Sequence, residues 1–415
     1  MRGSITKRSK GKRGPSSWRL RWEMGRDPTT GMRRYGYRTV RGKREQAEAE
    51  LRKIVDSMES GAFVAPAKST LAEWVETWLS TYTGDLAART LETYTFLLRQ
   101  RVVPYLGNKP IQKIKAGDLD DLYADLRAGR GPEAESVRPL SARRVLHVHR
   151  VIYSCLERAS KRGLLVKNVA RDADAPKPTD RQFAAISEER LNDFLLSLAP
   201  GTVSEQERKR RRWRLTAQNR EFLYWLCALA AATGMRLGEL LALRWCDIDF
   251  TTGLVAVHRA VEDTEAHGLR VKLPKSGKAR TVSVPLSICA ELKKLQRQQK
   301  EVWLQLGIRP SSEEEALLFP VSVDKPDQLL RPRVASQRFM AARDEFGLKG
   351  FRFHDLRHQH VSILLRTLAL PEVAARAGHA NPAVTARIYA HVLEDAHQRG
   401  ADAVAAMLSK RLLSA

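Results

Sequence analysis

Residues 351–360, "FRFHDLRHQH", gather three histidines, two arginines and an aspartate into one short run. Such a set can serve as a metal centre, as a clamp for phosphate, or merely as the polar face of a helix. If the run is helical, residues three and four apart share a face, so His354, Arg357, His358 and Val361 line up and an imidazole stands beside a guanidinium. The spacing His354 to His358 is admissible for zinc, but the acidic general base of an HExxH site and a third ligand are missing. Arginine is a poor neighbour for a divalent cation and a good one for phosphate, to which its planar fork donates two hydrogen bonds. The run therefore favours the phosphate clamp. Asp355 falls off that face, placed to hold a backbone or basic group, while His358 and His360 are expected to support the helix.

Other stretches carry weaker signals. In "AATGMRLGELLALRW" an apolar helix should end at Thr233-Gly234 and another begin at Leu237, placing Arg236 at a helix N-terminus that favours anions. Glu239 can brace that guanidinium or cap the helix. "LPKSGKARTVSVP" reads as strand, tight turn, strand, with Lys275 at a hairpin tip and Lys278 not distinguished from it. "PEVAARAGHANPAVTARIYAHVL" reads as a short helix begun by Pro371 and stopped by Gly378, a turn at His379 to Asn381, and a helix containing Tyr389. Judged singly, Lys275 is a surface lysine and Tyr389 a half-buried aromatic.

These groups need elements to position them. The 415 residues are too many for one ordinary core, and 43% hydrophobic content lets two or three domains each bury an apolar face. The formal charge of +25 points to a polyanionic partner, nucleic acid before membrane. Residues 1–44 hold 15 Lys+Arg against 2 Asp+Glu. Within them "SWRLRWEM" and "MRRYGYRTV" alternate like two strands about the turn "GRDPTTG", and a helix should follow from about Arg44 to Ser60. A basic hairpin plus helix can lay its strands in a DNA groove. After the small-residue linker "SGAFVAPAKST", four segments with i, i+3, i+4 apolar spacing predict an all-helical domain. A second linker, "RDADAPKPTDRQ", leads to a mixed domain of helices around three short strands, "GLVAVHRAV", "GLRVKLP" and "ARTVSVP". The block "RKRRRWR" (208–214) reads equally as a solvated charge run or a phosphate-contacting arm.

The most apolar stretch, "FLYWLCALAAA", is far shorter than the roughly 20 residues a membrane-spanning helix needs and reads as a buried helix. The basic N-terminus lacks the apolar core of a secretion signal, so a cytoplasmic location in a bacterial host, at the nucleoid, is expected. Cys155, Cys227, Cys246 and Cys289 show no CxxC pairing and are expected to be reduced core thiols.

Taken together, "TGMRLGELLALRW", "PKSGKARTVSVP", "HDLRH" and "AGHANPAVTARIYAHVL", in this order, resemble the tyrosine recombinases, the family of phage and plasmid integrases and chromosome-dimer resolvases. The resemblance implies a basic arm-type DNA-binding domain at 1–65, a helical, SAM-like core-binding domain at 66–175, a mixed α+β catalytic domain at 183–400 and a C-terminal helix or tail at 401–415 that packs onto a neighbouring protomer. It makes Tyr389 the nucleophile, leaving a 3′-phosphotyrosyl link and a free 5′-hydroxyl. It places Arg236, Arg357 and His379 around the scissile phosphate, Lys275 as general acid and His354 as the group assisting proton transfer at Tyr389, with His358 at a position that looks structural. The implied partners are double-stranded DNA at core and arm-type sites, three further protomers in a tetramer on synapsed DNA, and a directionality factor or host DNA-bending protein. No metal and no nucleotide cofactor is implied, since the phosphotyrosyl bond conserves the energy of the phosphoester.

The chemistry is sensible from elementary considerations. A phenol with a pKa near 10 is a poor nucleophile at neutral pH unless cations stabilise its phenolate or a base takes its proton. The basic N-terminal module favours integration or excision of a phage or mobile element. The rival readings are a non-cleaving DNA-binding regulator on the same scaffold, a chromosome or plasmid dimer resolvase, and a metal-dependent nuclease using the histidines.

Overall fold

The computed structural model describes residues 3–8, 16–26, 30–59, 68–132, 136–179, 186–201, 215–275 and 277–378, with Ala383, Ala386, Tyr389, Ala401, Asp402, Val404 and Ala405 beyond them. The basic block 208–214, His379 and most of the C-terminal segment 401–415 lie outside the described residues. The chain divides into two compact units, Met1–Asp180 and Arg181–Ala415.

The first unit opens with an antiparallel sheet of β1 (Gly3–Arg8), β2 (Ser17–Arg26) and β3 (Arg33–Arg41), in that order. The expected hairpin is β2 and β3. The added strand β1 comes from the basic start of the chain, where Ile5 is the one aliphatic residue and the pattern is too polar to announce a strand. Side chains alternate across the pleat. Trp18, Leu20 and Trp22 face helix α1 (Arg44–Glu59) and meet Ala47, Leu51 and Ile54, while Arg19 and Arg21 face outward. On that outer face the Arg19 guanidinium lies 4.4 Å from the Tyr37 ring and that of Arg21 lies 3.7 Å from the Tyr35 ring.

The helical region contains α2 (Leu71–Thr81), α3 (Ala88–Arg101), α4 (Val103–Leu106), α5 (Ala116–Ala128) and α6 (Ala142–Lys161). Helix α2 begins with a reciprocal cap in which the Thr70 hydroxyl accepts from the Glu73 N–H and the Glu73 carboxylate from the Thr70 N–H. Its apolar face, Leu71, Trp74, Val75 and Trp78, packs with Leu97, Leu98, Leu122, Val148 and Ile152, and the Trp74 indole N–H donates to the Cys155 carbonyl at 3.1 Å.

In the second unit α7 (Glu188–Leu198) and the apolar α8 (Ala217–Thr233) precede the short helix α9 (Leu237–Leu241). Strands β4 (Ile248–Asp249), β5 (Leu254–Val257), β6 (Ala260–Thr264), β7 (Gly268–Lys272) and β8 (Arg280–Ser283) follow, then α10 (Leu286–Gln305), α11 (Pro332–Glu345), α12 (Phe353–Leu364) and α13 (Leu370–Ala377). The core holds Leu223, Leu226, Leu240, Val255, Val282, Leu292, Phe339 and Leu356. No described helix is long and apolar enough to cross a membrane.

Three expectations need correction. "GLVAVHRAV" is not one strand: β5 joins β4 and β8 in one sheet, and β6 pairs with β7 in another. Consequently β7 and β8 are not partners, and Lys275 sits on an exposed connection between two sheets rather than at a hairpin tip. The local turn is real, with the Gly277 N–H donating to the Pro274 carbonyl, but strand pairing was decided at longer range, by the register Val255 with Val282. Cys155, Cys227 and Cys289 are buried as expected, whereas Cys246 is exposed. It lies between Trp245 and Asp247, both buried, so this tight turn points the middle residue outward.

Gly234 ends α8 at a φ of +66°, a left-handed conformation in which a Cβ would also lie 2.6 Å from the His360 ring. Gly234→Ala is expected to destabilise the second unit by about 1–2 kcal/mol from the backbone alone, with the ring contact adding to it. Urea unfolding of the two proteins provides the comparison.

Candidate active site

The site is built where two helices end. Helix α8 stops at Gly234 and α13 at Gly378, both left-handed, leaving their last carbonyls without intrahelical partners. Side chains from distant positions supply the missing donors. At the end of α8, the Ala231 carbonyl accepts from His360 Nδ1 at 2.7 Å, that of Ala232 from Arg376, and that of Gly234 from Arg357 at 2.6 Å. At the end of α13, three consecutive carbonyls take three arginines: Arg376 O from Arg280 Nε at 3.1 Å, Ala377 O from Arg357, and Gly378 O from Arg236 at 3.0 Å. Cationic groups are favoured at this end of a helix. Arg357 joins both termini and is only 3% exposed.

One carboxylate holds the arginines together. Glu239, third residue of α9, accepts from the Arg236 N–H at 2.9 Å and from the Arg236 guanidinium at 3.0 Å. Arg280 reaches both of its oxygens, at 3.0 and 2.7 Å. Glu239 thus braces and caps at once. Burial raises its pKa, but the bonds from Arg280 and the adjacent Arg236 outweigh this and hold it below the usual carboxylate range. Arg357, in contrast, is pushed down to about 10, by burial first and then by the neighbouring Arg236. Asp355 behaves as expected, accepting from the Arg352 N–H and guanidinium at 2.8 and 2.9 Å at the start of α12.

Tyr389 is 1% exposed, packed against Val361, Leu365, Val373 and Ala377, so it is more buried than its sequence context suggested. Burial raises its phenol pKa and the nearby Arg357 charge lowers it, the net being upward. The phenol oxygen lies 2.6 Å from His358 Nδ1. His358 thus does more than support its helix, and it is this ring, not that of His354, that hydrogen-bonds the hydroxyl. His354 packs its ring edge-on against His358 with centroids 4.9 Å apart. Its residue surface is open to solvent, yet crowding by protein, then His358 and Arg357, holds its pKa down to about 4. Lys275 is exposed on its connection, and His379 follows directly on the described Gly378. Among the described residues no group of three or more His, Cys, Asp or Glu is placed to hold a metal ion. A cavity of about 630 Å³ in the same unit, lined by Phe222, Trp225, Val302 and Arg338 among others, includes none of these groups.

Arg280 and Arg376 were not singled out from sequence. Arg280 had a signal: strand alternation puts it on the same face as the buried Val282, and a charge on an inward face calls for a buried partner. Arg376, in the last turn of α13, also binds the Ser283 hydroxyl at 2.7 Å and the Ser283 carbonyl at 2.6 Å, which no local pattern announces.

Comparison with known proteins agrees with this architecture. Residues 215–396 match the model of the phage integrase family, and residues 70–127 that of the phage integrase N-terminal SAM-like domain. An integrase of Streptomyces ambofaciens is 27% identical over 400 residues, covering 92% of each chain. A XerC-like tyrosine recombinase of Caldanaerobacter subterraneus is 24% identical, covering 92% of this chain and 94% of the other. The fold is shared with the Tn1549 transposon integrase solved with a circular-intermediate DNA, at a TM-score of 0.62 and 18% identity, covering 81% of this chain and 99% of that one. It is shared too with a lambda integrase tetramer bound to a Holliday junction, at 0.51 and 17%, over 90% and 92%. The chain therefore belongs to the tyrosine recombinases of the phage integrase family, and is a site-specific DNA recombinase.

The depressed pKa of buried His360 makes an acid-side prediction. Because folded His360 takes up a proton only near pH 4 while the unfolded side chain does so near 6.5, the unfolded state binds more protons between those values and stability falls as pH drops through them. For buried His360 the loss amounts to about 3 kcal/mol. His360→Asn, whose amide can still donate to Ala231, is expected to flatten this dependence by about one proton, as measured by denaturant unfolding between pH 6.5 and 5.

Proposed function

We propose that this recombinase cuts and rejoins DNA through a covalent 3′-phosphotyrosyl intermediate on Tyr389. The observation that carries the reading is the convergence of Arg236 and Arg357 on the end of α13, with the Tyr389 phenol close enough to Arg357 to feel its charge. A phosphodiester seated there would meet two guanidiniums whose positions are already set by backbone carbonyls. The phenol oxygen gives its proton to a neighbouring imidazole as it attacks phosphorus, the bond to the 5′-oxygen breaks, and the leaving oxygen takes a proton from Lys275, carried on its exposed connection. His379 would join the phosphate from the residue after Gly378. The cations offset the charge added in the transition state, so no step of the scheme calls for a metal or a nucleotide.

The remaining parts take roles around DNA. The helical region and the catalytic unit would grip the core site, with phosphate contacts positioning and base contacts specifying. Four protomers would act on paired sites, as the lambda integrase tetramer on a Holliday junction suggests by analogy. The N-terminal sheet, with Arg19 and Arg21 stacked on tyrosines, suits arm-type sites and hence integration or excision of a phage or mobile element.

On nicked DNA carrying the element's own attachment site, wild-type protein is expected to form a covalent, protease-sensitive adduct that persists in EDTA. Tyr389→Phe is expected to form none, and Arg236→Ala to form it hundreds of times more slowly, about 3–4 kcal/mol by analogy with loss of one transition-state donor. No wild-type adduct on such DNA would overturn the reading. Replacing Arg19 and Arg21 together by Ala is expected to weaken arm-site binding and to reduce the slope of log K against log salt by about 2, as titrations at several salt concentrations would measure.

A further inference from the structure

A phenol cannot attack phosphorus efficiently while it keeps its proton, and burial of Tyr389 raises the cost of losing it to water. The proton must pass to a group already in contact. Among the described residues, the Tyr389 oxygen shares a hydrogen bond with His358, whose Nδ1 is 2.6 Å away, with ring centroids 5.7 Å apart. Such a bond has one hydrogen. Burial holds His358 below the ordinary histidine range, with Arg352 and Arg357 acting in the same direction and Asp355 against them. A neutral imidazole with its hydrogen on Nε2 would leave Nδ1 to accept from the phenol.

We infer that His358 is the catalytic base for Tyr389, a deepening that rests on the reading of Tyr389 as nucleophile. As the Tyr389 oxygen forms its bond to phosphorus, its hydrogen passes to His358 Nδ1, and the bond to the 5′-oxygen breaks with a separate acid supplying that oxygen's proton. In rejoining, the 5′-hydroxyl gives its proton back to that acid as it attacks phosphorus, the phenolate leaves, and His358 returns the proton to it. No further reactant is needed.

The frame supports this. His358 follows Arg357 on α12, and Arg357 is pinned to the Gly234 and Ala377 carbonyls, so the ring that takes the proton and the guanidinium that meets the phosphate are set by one anchored turn of helix. His354, one turn earlier, braces the His358 ring edge-on. Once protonated, His358 would sit beside Arg357, and that repulsion favours returning the proton, as a reversible strand exchange requires.

The test uses full-length protein and nicked attachment-site DNA, with adduct formation followed in a single turnover. His358→Asn can accept a hydrogen bond near the Nδ1 position but cannot take a proton, so His358→Asn and His358→Ala are both expected to slow the adduct by about a hundredfold or more. A DNA with sulfur in place of the 5′-bridging oxygen needs no acid for its leaving group. It is expected to restore Lys275→Ala and not His358→Asn. Adduct formation by His358→Asn within about threefold of wild type, or its rescue by the sulfur substrate, would overturn the assignment. A measurement on unmodified protein stands beside it: with ¹⁵N-labelled histidine, the His358 ring is expected to carry hydrogen on Nε2 and none on Nδ1, and a protonated Nδ1 in the resting enzyme overturns the proposal. Tyr389→Phe separates the two readings, since an adduct formed by that variant removes the nucleophile assignment itself, whatever His358 does.

Discussion

The catalytic unit depends on one constraint: helices α8 and α13 both end against other parts of the unit, where their last carbonyls lack partners within the helix and are partly or wholly covered by protein. Buried polar groups without partners cost on the order of 1–3 kcal/mol each, so each end must be supplied with donors. Arginine and histidine side chains supply them. Capping six carbonyls in this way draws Arg236, Arg280, Arg357, Arg376 and His360 into one place. A cationic pocket is the by-product of satisfying two helix ends, and Glu239 offsets the mutual repulsion that such crowding creates.

This arrangement also fixes the arginines in position. Breaking a buried ion pair by removing one member is far costlier than never having formed it, and Glu239 is bonded by two arginines from separate elements. Arg357 is tied at both ends of its guanidinium to backbone rather than to mobile side chains. Groups that would stabilise an incoming phosphate therefore need little rearrangement, which is the condition under which fixed charges act most strongly on a transition state. Close packing adds to this: a Cβ on Gly378 would come within 3.1 Å of the Arg280 guanidinium, so the turn that leads toward His379 is held against the cluster.

Much of the fold was legible because it is local. Thr70 with Glu73, Gly234 and Gly378 mark helix ends by rules that act over a few residues, and the apolar spacing of α2, α6 and α8 is helical on its face. The failures were non-local. "PKSGKARTVSVP" contains a true turn, yet its flanking strands pair with β6 and β5 and not with each other. Strand β1 was missed because an edge strand bearing Lys7 and Arg8 exposes most of its side chains and so lacks alternation.

The same division holds for the site. Residue types and spacing alone were enough to put an imidazole and a guanidinium side by side at 354 and 357, to mark Arg236 and Glu239 at a helix start, and to favour phosphate over metal. Those are properties of one or two helical turns. Only the tertiary structure decided that Arg280 and Arg376 join them, that Tyr389 is buried, and that its hydroxyl meets His358 rather than His354. The reason is physical: His354 and His358 share one face about 6 Å apart along the helix axis, and which of them meets the tyrosine depends on the placement and rotation of α12. That rotation is set by Arg357 reaching two carbonyls, one more than a hundred positions before it and the other 20 positions after, which local sequence cannot express.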